Sequence, residues 1–405
     1  MLQNITSVRG IKCWGAHTGV KSMRRDLAIF FSEKPAKVSA TFTQNQVVAE
    51  PIKITRENLK SSGNTAQALI VNSGNANAMT GEQGKRGAEA MVETAASEFG
   101  IALDQVMIAS TGIIGQEFPT IAIVEGIREN VKKISNNSRA GSFAANAILT
   151  TDTFAKEGFV EFEVDGIMVS IAGIAKGSGM IHPNMATMLA FTFTDLNITQ
   201  ELLDKAFKET VDLSFNMITV DGDTSTNDMA SIMANGMAEN TLIEDENDPN
   251  YLLFKSKLME LMVHLAKLIV SDGEGASKFI EYRVTKAESQ KGARQMIRVV
   301  SDSSLVKTAM FGRDPNWGRI LAAMGRSGVI FNPDKVDLFL GNESQMAQLL
   351  DQGTPVEQDV NYLKRLLKKS DLKIEICLNT GEEEAMGWGT DLTTDYVMFN
   401  SVYTT

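Results

Sequence analysis

Short apolar runs that break into Gly, Asn, Ser or Thr and then into a helical pattern recur along this 405-residue chain. That alternation constrains the fold more than any other feature. QALIVNSGNANA (67–78) reads as a strand closing in a Gly/Asn loop, and 82–99 then follows helical spacing. QVMIASTGIIG (105–115) repeats the arrangement, and Pro119 opens the next helix where a missing amide costs nothing. Residues 159–174 alternate on both sides of Asp165-Gly166, a two-residue hairpin signal. TMLAFTFTD (187–195) reads as a further strand, and Thr199 as the cap of a helix with Leu202, Leu203, Ala206 and Phe207 on one face. Later helices are expected near 250–270, 289–303, 316–326 and 356–369, and strands near 278–286, 335–340 and 371–378. The mixture predicts an α/β fold, a layered sandwich of helices and mixed, largely antiparallel sheets. The acidic stretch 244–250 reads as a solvated turn.

Charge removes whole function classes. The chain carries 39 basic and 50 acidic side chains, a net charge of −11. Nucleic acid and anionic membranes are therefore poor partners. The imbalance is uneven: residues 1–186 sum to +1 and residues 187–405 to −12. Cys13 and Cys377 stand alone without CxxC spacing, which fits a reducing cytoplasm. With only His17, His182 and His264, a His-rich metal centre is excluded, although a carboxylate site for a hard cation is not. The N-terminal residues do not read as a signal peptide, and the apolar runs fall short of a bilayer span. A soluble cytoplasmic enzyme without a metal or cofactor is the expectation.

Familiar catalytic motifs are absent. The chain has no GxxxxGK[ST] loop and no GxSxG elbow, and its GxG fragments lack a third glycine. The informative segment is KGSGMIHPNMATML (176–189). A Gly-rich approach passes Pro183 and the small Ala186 into Thr187, where the strand begins. Ala186 leaves its carbonyl open to attack, and the β-branched Thr187 restricts χ1. A threonine made N-terminal gains an α-amine of pKa about 7.7–8.0. That amine can serve as base for the threonine's own hydroxyl without a histidine. A Gly/Pro loop entering a buried strand explains the same residues.

The segment resembles the self-cleavage signature of the ornithine acetyltransferase family, the glutamate N-acetyltransferases of arginine biosynthesis. NSGNANA (72–78), ASTGIIG (109–115), VDGDTSTND (220–228), SDGEGASK (271–278), GRDPNWGRI (312–320) and DYVMFN (395–400) are similar to that family's blocks, in order across nearly the whole chain. The resemblance implies an N-terminal-nucleophile-like precursor. It cleaves itself between Ala186 and Thr187 into an α chain, 1–186, and a β chain, 187–405, which share one catalytic unit. It further implies that Thr187 takes acetyl from N2-acetyl-L-ornithine and passes it to L-glutamate. Thr111 and Gly112 would form the oxyanion hole. Thr150, Lys176, Thr187, Glu274, Asn400 and Thr405 would bind substrate, with Thr151 adjacent to Thr150 and equally placed by sequence. Some relatives also use acetyl-CoA, a candidate second donor here, and two α and two β chains would form a heterotetramer. Two other readings stay open: an N-terminal-nucleophile amidase or aminopeptidase that hydrolyses its acyl-enzyme, and a non-catalytic amino-acid binder.

Overall fold

The structure, a computed structural model, describes residues 3–182 and 188–402. Ala186, Thr187 and Thr405 lie outside the described residues.

Two sheets organise the fold. The strands run β1 (Ile11–Ala16), β2 (Leu27–Phe42), β3 (Thr65–Asn75), β4 (Val106–Ile113), β5 (Lys156–Val164), β6 (Ile167–Lys176), β7 (Leu189–Thr194), β8 (Ile218–Thr219) and β9 (Met229–Ala234). The first sheet has the order β4-β3-β2-β9-β7-β6-β5, with β1 pairing β2. The remaining strands are β10 (Phe279–Ala287), β11 (Asp337–Asn342), β12 (Gln345–Asp351), β13 (Thr354–Pro355), β14 (Asp371–Cys377) and β15 (Glu383–Thr390). With β8 they form the second sheet, in the order β13-β12-β11-β14-β10-β15-β8. Pairing is mostly antiparallel, but β3–β4, β7–β9, β10–β14 and β8–β15 are parallel.

The first sheet is buried on both faces. Leu189, Phe191 and Phe193 of β7 join one core with Phe30, Leu69 and Val71, while Ala190 belongs to another. This is the period-two alternation of a strand covered on both sides. Helices α1 (Glu50–Ser61), α2 (Gly81–Phe99), α3 (Thr120–Asn130) and α4 (Ser138–Ala147) pack around β1–β4, and α5 (Gln200–Leu213) packs on β2. Helix α6 (Pro249–Ser271) is the hinge of the layering, since it packs on β5 and β6 of one sheet and β15 of the other. Its Leu261, Leu265 and Ile269 are buried at helical spacing. Gly158 and Gly173 let it approach, because a Cβ at Gly173 would stand 2.9 Å from Leu265 Cδ1.

The hairpin at Asp165-Gly166 forms as expected, with φ of 50° and 82° at the two positions. Three details differ from the sequence reading. Thr199 occupies the cap position of α5, but its hydroxyl makes no capping bond. The span 289–303 holds only the first of two helices; α7 (Gln290–Ser301) stops and α8 (Ser304–Gly312) begins with Ser303 at its cap. The acidic stretch is exposed, and its Asp248 also accepts the Asn250 amide at the start of α6.

Candidate active site

The ends of β4 and β6, the loop 177–182 and the Gly-rich turn 272–278 converge on one cavity of about 350 Å³. Thr111, Gly112, Thr150, Thr151, Lys176, Glu274 and Asn400 all line it. It thus brings together every described residue singled out from the sequence. Thr187 and Thr405 lie outside the described residues. The chain on either side of the first is fixed at Ile181, whose amide donates to Asp221, and at Met188, whose amide donates to Asp228.

Gly112 is required by its backbone. Strands β3 and β4 bulge where Gly74 faces Gly112, and Gly112 has φ of +133°. A Cβ there would stand 2.5 Å from the Asn75 nitrogen. Only glycine lets the two strands approach so closely here, where Thr111 and Gly112 both line the cavity.

Lys176 ends β6 and is 4% exposed. Its Nζ donates to Thr150 Oγ1 at 2.8 Å and Thr111 Oγ1 at 3.4 Å, and stands 3.9 Å from Asp152 Oδ2. Burial lowers its pKa, and Asp152 opposes that effect. Asp152 is itself buried, yet Lys176, Lys156 and the Gly177 amide hold its carboxyl down at about 2. Lys156 is fully buried between Asp152 at 2.7 Å and Asp272 at 2.6 Å. Asp272 comes from the turn that carries Glu274. The same buried charge set therefore orders both the lysine and the glutamate sides of the cavity.

Glu274 donates its amide to the Ser178 carbonyl at 2.9 Å. Its Oε2 accepts from Asn400 Nδ2 at 3.1 Å. Asn400 lies on the C-terminal helix Thr394–Val402, which closes against Gly275; a Cβ there would stand 2.7 Å from Tyr396 Cα. Asp221 accepts the amides of Met180 and Ile181 and the Tyr396 hydroxyl. Burial pushes its carboxyl up to about 6, against those backbone hydrogen bonds.

His182 stands 3.9 Å from Asp302, and burial lowers its pKa. Sequence reasoning missed Lys21, Asp152, Asp221, Asn227 and Tyr396 as lining or ordering groups. Asp221 and Tyr396 sit inside the quoted blocks 220–228 and 395–400; Lys21 lies in none. Among the described residues, no group of His, Cys, Asp and Glu could hold a metal ion.

Known proteins match this chain along nearly its whole length. The model of the ArgJ family matches residues 12–405. The arginine biosynthesis bifunctional protein ArgJ of Caldanaerobacter subterraneus is 45% identical over 397 residues, covering 98% of this chain and 97% of that protein. Its counterpart in Staphylococcus epidermidis is 44% identical over 402 residues, covering 99% and 98%. A solved ornithine acetyltransferase of Mycobacterium tuberculosis, complexed with ornithine, is 29% identical with a TM-score of 0.40, covering 45% of this chain and 95% of that one. On the family match and its full-length relatives, the chain belongs to the ArgJ family.

Proposed function

We propose that this protein is an acetyltransferase of arginine biosynthesis that moves acetyl from N2-acetyl-L-ornithine to L-glutamate, with acetyl-CoA as a second donor to glutamate. The observation that carries the reading is the cluster in which the buried Lys176 ammonium bonds Thr111 and Thr150 beside Gly112, with Glu274 lining the same cavity. A desolvated cation, a glycine-bordered peptide and a carboxylate are what an amino acid with an acylated amine requires.

The chain becomes active by cleavage between Ala186 and Thr187, giving α (1–186) and β (187–405) chains that assemble as a cytoplasmic heterotetramer. The Thr187 Oγ attacks the acetyl carbonyl, and its proton passes to the Thr187 α-amine. The tetrahedral oxygen is held at Thr111-Gly112. Collapse breaks the C–N bond; the proton moves to the departing nitrogen, and ornithine leaves an acetyl-Thr187 ester. The α-amine of glutamate attacks that ester, and the same groups run in reverse. Lys176 neutralises the α-carboxylate. Glu274, with Asn400 and Thr405, receives an ammonium group.

Purified protein should give two fragments of roughly 20 and 24 kDa, from 44.1 kDa divided in proportion to length, and Thr187→Ala should stay whole. N-acetylornithine alone should release one equivalent of ornithine and leave acetylated β chain; added glutamate should then discharge it as N-acetylglutamate. Steady release of acetate without glutamate would establish a hydrolase instead. An intact wild-type chain with full activity would remove the N-terminal threonine from the mechanism.

A further inference from the structure

The cavity holds a second cation that the reaction as described does not use. Lys21 lies in the loop between β1 and β2 and lines the wall with Val20 and Gly74, close to Lys176. Its alkyl stem fills the space that a side chain at Gly74 would take, since a Cβ there would stand 2.9 Å from Lys21 Cγ. Its ammonium donates one hydrogen bond, to the Leu149 carbonyl at 2.8 Å, and pairs with no carboxylate among the described residues. The nearest candidate, Asp26, is occupied: it accepts from the Lys21 and Thr18 amides and the Thr18 hydroxyl, and stands 3.3 Å from His17. Asp152 is shared between Lys156 and Lys176. A buried-side ammonium with one neutral partner invites an anion.

Resting on the acetyl-transfer reading, we infer that Lys21 binds the side-chain carboxylate of the acceptor amino acid and so selects glutamate in the second half-reaction. The two substrates share an α-carboxylate, which Lys176 accounts for. They differ at the far end, where one carries an ammonium and the other a carboxylate. The acidic side of the cavity, Glu274 with Asp221 and Asp223, suits the first. Among the described lining residues, Lys21 is the one cation left for the second. Burial lowers the Lys21 ammonium to about 8, as do Arg24 and Lys176, while Asp26 and Asp152 oppose them. Below that pH the ammonium stays mostly protonated and attracts an anionic side chain, while beside a cationic one it sheds its proton more readily than an ordinary lysine.

The test compares glutamate with glutamine, which has the same shape without the charge, as acceptors for acetyl-enzyme prepared from N-acetylornithine. Lys21→Met should cut the glutamate-to-glutamine ratio of kcat/KM by ~30-fold or more, mostly through KM for glutamate. Lys21→Arg should restore part of the ratio. In the wild type the same ratio should fall as pH rises through about 8; glutamine cancels any titration of Lys176, because both acceptors share the α-carboxylate. This second measurement stands if the Met variant does not fold. A ratio unchanged in Lys21→Met, whether both rates fall together or neither falls, would make Lys21 only a tie between its loop and Leu149. A wild-type ratio flat across pH 7–9 overturns the inference equally. Failure of the wild type to form acetyl-enzyme would instead sink the acetyl-transfer reading.

Discussion

The carboxyl of Asp228 accepts the backbone amide of Met188 at 3.1 Å, so a side chain forty positions away holds the residue that follows Thr187. Asp228 is 1% exposed, and burial pushes its pKa well above the ordinary carboxylate value, with the Met188 amide and Lys176 only partly offsetting that. Its Oδ1 is the acceptor for that amide, a role an asparagine oxygen can also fill. Asp228→Asn should therefore keep processing and melting temperature close to wild type. Asp228→Ala strands a buried amide and should cost about 1–3 kcal/mol while slowing chain cleavage. Thermal unfolding and a mass-spectrometric time course check both. Equal damage from Asn and Ala would mean that the ionised form is needed.

Lys156 should be the costliest single charge to remove. Lys156→Met leaves Asp272 buried without its cation and Asp152 with only the more distant Lys176, a loss of about 3–5 kcal/mol. Because Asp272 lies beyond residue 187 and Lys156 before it, the variant should also weaken association of the processed chains. Denaturant melts and co-purification of the two fragments report it.

Gly112→Ala puts a Cβ against the Asn75 nitrogen at a φ that L residues avoid. If the peptide there holds the tetrahedral oxygen, kcat should drop by ~10²–10³ with KM nearly unchanged. Steady-state kinetics on material verified by circular dichroism would show it. A drop confined to stability would assign Gly112 to the strand bulge alone.

The raised pKa of Asp221 gives folding stability a pH dependence. Its folded pKa, raised to about 6, lies above the unfolded value, so its stabilising contribution is full below pH 4 and is lost as pH rises through about 6. Asp221→Asn does not titrate. The stability of the variant relative to wild type should move in the variant's favour between pH 4 and 7, by on the order of 3 kcal/mol. Chemical unfolding at four pH values would measure the slope; a parallel pair of curves would contradict it.

The reach of the sequence can be traced residue by residue. Thr111-Gly112, Lys176 and Glu274 were legible because each sits in a glycine-bearing block where a strand or turn ends, and such ends are where an α/β layer presents groups to a ligand. Lys21 was not, because a lone lysine between two strands looks like any solvated charge until folding places it beside Lys176. The long strand β2 was hidden by Lys34-Pro35. Proline cannot donate to a ladder, and the pairing with β3 shifts register between Phe31 and Ala36 to accommodate it. The break between α7 and α8 falls at Asp302-Ser303, polar residues that continue a helical pattern as readily as they end one.

The order of the first sheet has a consequence for the life of the molecule. Strands β7 and β9, which follow Thr187, lie between β2 on one side and β6 on the other, both of which precede it. A cut at Ala186-Thr187 thus leaves two chains plaited through a single sheet. Neither can leave without tearing main-chain ladders along two edges. The continuous chain forms that weave as a unimolecular event, whereas the severed halves must find each other at cellular concentration. On the cleavage proposed above, folding would be a route travelled once, because an unfolded pair of chains would have to reassemble by encounter where the precursor folds as one.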